Sequence, residues 1–141
     1  MSKAPLAAIA GIGWTDYSRN SGRTVEALAL EACSRAIADA GLDPARVDGL
    51  VSFSLGDSVP TSVVATDLGL GGLNHYADFA AGGFMACGLV LEAAMAVASG
   101  QADYVVAYRA LNGASGQRYG GASFSKLLSD FGVHTDAEQQ F

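Results

Sequence analysis

The sequence predicts an α/β fold in which a mostly parallel sheet is covered by helices, with elements in the order β-α-β-α-β-α-β. Three observations predict it. Four short apolar runs have the length of strands, three intervening stretches carry apolar residues at helical spacing, and the glycines cluster between elements. Alternation of strand and helix favours parallel pairing, because each helical crossover returns the chain to the same edge of the sheet.

Residues 7–14 are a short apolar run and read as a buried first strand. Residues 16–22 are polar and turn-rich, hence a loop. Thr24 is placed to cap a helix in which Val25, Leu28, Ala29, Ala32, Ala36, Ile37 and Ala40 recur at helical spacing, and Gly41 is placed to end it. Asp43 before Pro44 predicts a single helical turn. Residues 49–54 read as the second strand. A shorter helix over 62–68 follows Pro60 and stops at Gly69. The third strand runs from Leu73 to Phe79, and residues 80–83 are a tight turn. Residues 84–99 form a helix that is apolar on nearly every side, which predicts burial on more than one face. Residues 103–111 contain the fourth strand.

Residues 112–125 are rich in Gly, Ser and Tyr and read as an irregular excursion, followed by a short helix over 125–131. Thr135 and Glu138 then fit a capping box, which announces a helix just before the sequence ends at Phe141. The expectation is therefore a truncated unit: a partial domain over 1–111 and the start of a loop region over 112–141.

Composition excludes several functions. Half of the 141 residues are apolar and 16% are charged, too apolar for a disordered tail. The formal charge of −6 lacks the basic footprint of a nucleic-acid binder, and speaks against electrostatic adhesion to anionic membranes. The longest apolar stretch, residues 85–98, is interrupted by Gly88 and Glu92 and falls short of the ~20 residues that span a bilayer. No basic segment precedes an apolar run at the start, and two cysteines make no disulfide framework, so a cytoplasmic, reducing compartment is expected.

Few residues carry chemistry on their own spacing. Gly11 and Gly13 follow the first apolar run, but Asp16 stands where a dinucleotide fingerprint needs its third glycine. The pair reads instead as backbone passing close under a helix. His75 and His134 stand apart from other ligands, so no metal site is expected, and His75 reads as a hydrogen-bonded interior or interface residue. The informative stretch is Gly82-Gly83-Phe84-Met85-Ala86-Cys87, a glycine turn leading from a strand into an apolar helix. Unpaired N–H groups at a helix start favour anions and thiolates. Cys87 is thus either a nucleophilic or substrate-facing cysteine or a small core side chain. Cys33, in mid-helix, reads as packing.

The order of elements, with Gly82-Gly83-Phe84-Met85-Ala86-Cys87, the Ser99-Gly100-Gln101-Ala102-Asp103 turn and the following Tyr104-Val-Val-Ala-Tyr-Arg-Ala-Leu-Asn112, resembles the thiolase superfamily. Residues 106–119 are similar to the steroid side-chain aldolases of its lipid-transfer-protein branch. The resemblance covers residues 7–125. It implies a thiolase-like α/β fold and an enzyme acting on acyl-CoA thioesters, with retro-aldol C–C cleavage in lipid or steroid side-chain degradation as the expected reaction. Coenzyme A enters as part of the substrate, and no separate cofactor is expected.

One departure matters. The nucleophilic cysteine of thiolases falls near Gly83 when counted back from Ser99-Gly100, and glycine cannot attack anything. Cys87 lies one helical turn further on. The resemblance implies that the proton-transfer tyrosines of such aldolases come from a later part of the protein. Gly82 and Gly83 are then candidates for the wall of the site, where backbone N–H groups approach the substrate. Arg109, Arg118 and Tyr119, at or beyond the end of the fourth strand, are candidate substrate-binding residues; the alternative is a salt-bridged or solvated loop. Two other functions stay open: acyl transfer through Cys87, and a non-catalytic acyl-CoA-binding subunit. The resemblance further implies a homodimer paired through the strand from Leu73 to Phe79, and a small OB-fold partner protein.

Overall fold

Gly49–Ser54, with Leu50, Val51 and Phe53 as its apolar side chains, forms β1, the middle strand of a three-stranded parallel sheet ordered β2-β1-β3. The computed structural model describes residues 7–116. β2 is His75–Ala80 and β3 is Val105–Tyr108. Gly49 lies opposite His75 on one side and Val105 on the other, so the register carries Ser54 to Ala80 and Ser52 to Tyr108. β1 is buried because both its faces are covered, as expected for a central parallel strand. Leu50 packs with Leu28, Ala29 and Cys33 of helix α1, Val25–Asp39, and with Val64 of α2, Thr61–Asp67. Val51 and Phe53 face the opposite way, against Leu89 of α3, Met85–Ala98.

Local chemistry sets the element ends. The Thr24 hydroxyl accepts the Ala27 N–H at 3.1 Å and starts α1. Gly41, at φ +67°, turns the chain at the other end while Leu42 N–H reaches back to Ile37. Asp43 caps the single 3-10 turn Pro44–Arg46. Helix α2 begins at Thr61 after Pro60, and its cap comes from the next strand: Asp78 accepts from Thr61 N–H at 3.1 Å and from its hydroxyl at 2.7 Å. At the amino edge of the sheet, Asp48 accepts from Asp103 and Tyr104 N–H, both at 2.9 Å, and from the Asn74 amide at 3.0 Å, clasping all three strands together.

Two expectations are corrected. Residues 7–14 form no strand among the described residues, and Ile9, Ile12 and Trp14 are exposed. A strand needs a hydrogen-bonded neighbour, and an apolar run cannot specify one. The predicted close pass under a helix is present. A Cβ on Gly11 would lie 2.6 Å from Ala40 N, and one on Gly13 would collide with the Ala32 carbonyl, both on the α1 side. Ile12 N–H donates to Asp39 at 2.9 Å, and Arg35 donates to the Trp14 carbonyl at 2.6 Å. The second correction concerns α3. Leu89 and Ala96 are buried, but Val90, Leu91 and Met95 are exposed, so among the described residues one face is packed rather than several. The helices and remaining strands otherwise fall within two or three residues of the sequence reading. The segments read over 117–141 lie outside the described residues.

Candidate functional site at the carboxyl edge of the sheet

All three strands are parallel, so their carboxyl ends, at Ser54, Ala80 and Tyr108, share one edge. Ligands of open parallel sheets gather outside this edge. Three connections leave it: loop 55–60, turn 81–84 and loop 109–114.

The turn leads into α3. Ala81 N–H donates to the Ser54 carbonyl at 3.1 Å, which fixes the turn to the central strand. Gly82 is buried and Gly83 exposed. Met85 N–H and Ala86 N–H already donate to the Gly82 and Gly83 carbonyls, at 2.9 and 3.2 Å. A Cβ on Gly83 would meet nothing within 4 Å. The close approach that glycine permits there is therefore not used by the described residues of this chain. Phe84 is 85% exposed beside it, and Cys87, the third residue of α3, is a free and exposed thiol. Cys33 is buried, and burial pushes its thiol up to about 12, which keeps it protonated and inert.

Arg109 sits directly after β3 and turns toward Asp57 in loop 55–60, with Nη2 to Oδ1 at 2.6 Å. The carboxylate is 2% exposed and the guanidinium 16%. Asp57 also accepts the Leu55 N–H at 3.1 Å and faces the Ser54 hydroxyl at 3.3 Å. Burial pushes the Asp57 carboxyl up, but the Arg109 hydrogen bond, the Leu55 and Asp57 N–H groups and the Arg109 charge outweigh it and hold it below the usual carboxylate range. The guanidinium lies 4.9 Å from the Phe53 ring centroid. Arg109 is thus salt-bridged to the neighbouring loop in this structure. Two neighbouring bonds tie the same loops: Tyr108 hydroxyl to the Val59 carbonyl at 2.8 Å, and Ala110 N–H to the Ser58 hydroxyl at 3.4 Å.

A cleft of about 360 Å³ opens beside this pair, between residues 13–21 and 109–114, with Leu28 and Ala32 of α1 in its wall. Arg109 lines it; Gly82, Gly83 and Cys87 do not. The structure thus gathers the glycine turn and Cys87 on one stretch, and sets Arg109 against loop 55–60. Arg118 and Tyr119 lie outside the described residues. Asp57 and Phe53 are the site-edge residues that sequence reasoning missed. An aspartate in a Gly-Asp-Ser turn carries no signal that its partner lies 52 residues away. His75 stands at the opposite, amino end of β2, between Gln101 at 3.1 Å and Glu92 at 3.3 Å. Among the described residues, no helix is long and apolar enough to cross a membrane.

No family model matches the chain. It is 48% identical, over 98% of its length, to a steroid side-chain-cleaving aldolase of Thermomonospora curvata. It is 53% identical, over 81% of its length, to the 17-hydroxy-3-oxo-4-pregnene-20-carboxyl-CoA lyase of Mycobacterium tuberculosis. Among solved structures it matches the Ltp2–ChsH2(DUF35) aldolase with a TM-score of 0.75 and 48% identity over 95% of this chain. The chain spans 38%, 29% and 36% of those three proteins.

Proposed function

We propose that this chain, whose sequence and thiolase-like α/β fold are those of the steroid side-chain aldolases, forms part of a lyase that cleaves a C–C bond in the side chain of a steroid acyl-CoA thioester. The observation that carries the reading is the 48% identity to a steroid side-chain-cleaving aldolase over 98% of the chain. The second relative, by its name a lyase of a pregnene carboxyl-CoA, supports the thioester class.

A retro-aldol step removes the proton of a β-hydroxyl, breaks the Cα–Cβ bond, and leaves a ketone and a thioester enolate that is then protonated. The developing negative charge rests on the thioester oxygen, where preorganised N–H donors stabilise it. Within this chain the open turn is suited to that task. Met85 and Ala86 N–H groups are spent on the turn, so Gly83 and Phe84 are the N–H groups we assign to the oxyanion, and exposed Gly83 leaves room for it. We assign no acid–base role to the described residues of this chain. A homodimer paired along β2, which is an edge strand of the described sheet, and a DUF35-type partner complete the reading.

Gly83→Val in the complete protein tests it. A Cβ at Gly83 meets nothing within 4 Å, so the melting temperature is expected to hold while kcat/KM for acyl-CoA cleavage falls by roughly 100-fold or more. Unchanged kinetics would refute the assignment. Exposed Cys87 favours a second reading, acyl transfer through a thioester on this cysteine. Cys87→Ser separates the two: acyl transfer stops, whereas retro-aldol cleavage continues.

A further inference from the structure

We propose that Arg109, gripped by Asp57 and stacked on Phe53, is a positioning residue that holds the glycine turn before α3 in its reactive geometry; this rests on the lyase reading above. Arg109 touches Phe53, and Phe53 packs in one cluster with Ala81, Leu89 and Met85. Ala81 and Met85 bracket Gly82, Gly83 and Phe84. The guanidinium is thereby linked, through the Phe53 ring, to the cluster that holds both ends of the turn. Asp57 fixes the guanidinium from the other side at 2.6 Å, and Ala81 N–H anchors the turn to Ser54 at 3.1 Å.

The choice of residues fits positioning better than stability. Burying a carboxylate to 2% exposure costs desolvation that an apolar pair of equal shape avoids, so such a pair adds little net stability. A planar fork that bonds a carboxylate at one edge and lies on an aromatic face instead defines orientation, which lysine cannot reproduce. The same fold supplies a control. Arg46 lies 4.8 Å from the Tyr104 ring centroid at the amino end of the sheet, the same stacking chemistry away from the glycine turn.

The test compares Arg109→Lys, Phe53→Leu and Arg46→Lys in the complete protein, reading steady-state acyl-CoA cleavage and melting temperature. Expected for Arg109→Lys is a kcat loss of roughly 10- to 100-fold, with KM within about threefold of the parent. Phe53→Leu is expected to lose kcat in the same way and decides the matter if Arg109→Lys does not fold. Arg46→Lys is expected to keep the parent kcat. The proposal is overturned by parental kcat in the folded variants, by an equal loss in Arg46→Lys, or by a rise in KM at constant kcat, which would make Arg109 a binding group. If the parent protein cleaves no acyl-CoA, the lyase reading itself falls, and this inference with it.

Discussion

Gly11→Ala is expected to loosen residues 7–15 from α1. The added Cβ would lie 2.6 Å from Ala40 N and 2.9 Å from Ala40 Cβ, about 1 Å inside ordinary contact distance. The obstacles are helix backbone and a methyl stub, neither of which can rotate away. The segment must retreat instead, and its retreat strains the Ile12–Asp39 and Arg35–Trp14 hydrogen bonds. Overpacking costs about 1–3 kcal/mol, and two exposed hydrogen bonds add about 0.5–1 kcal/mol each, for a total of roughly 2–5 kcal/mol. When opening is fast, proteolysis follows the open population, so chymotrypsin cleavage after Trp14 should quicken roughly 30- to several-thousand-fold. Gly83→Ala, which meets nothing, is the matched control. Cleavage of Gly11→Ala within about twofold of the parent would show that the segment does not rest on α1 as described.

Acid should weaken the fold through two carboxylates. For Asp48, as for Asp57, burial pushes the carboxyl up, but N–H and amide donors outweigh it and hold it below its ordinary value. Their stabilisation is thus complete above the ordinary carboxylate value of about 4 and is lost as pH falls through the depressed folded values. Melting temperatures taken across that range should show a flatter acid limb in Asp57→Asn, and an identical limb would contradict the assignment. Iodoacetamide should modify exposed Cys87 in the native chain and reach Cys33 only after denaturation; equal native rates would contradict the burial of Cys33.

What the sequence made legible was local. Thr24, Gly41 and the Asp43-Pro44 pair carry their own capping chemistry, so α1 and the 3-10 turn could be read residue by residue. β1 was legible because Leu50, Val51 and Phe53 place apolar side chains on both faces of one short stretch. What escaped depends on distant partners. Asp78 caps α2 from 17 residues away, and Asp57 takes Arg109 from 52 residues away, so neither acidic residue announces its role. Residues 7–14 have strand composition without a strand neighbour among the described residues. The apolar periphery of α3 announces burial, but composition alone cannot say against what. Gly82, Gly83 and Cys87 were read as one turn and helix start, and the exposure of Gly83 and Cys87 required the structure.

The strand order carries a consequence for synthesis on the ribosome. β1 lies between β2 and β3, so the middle of the sheet emerges first and its last flank is made some fifty residues later. Until Val105–Tyr108 arrives, one ladder of β1 stays open and the Val59 and Asp57 anchor points stay vacant. A nascent chain of this kind must wait, greasy and half-paired, and a pause in translation before Val105 would prolong its dependence on chaperones.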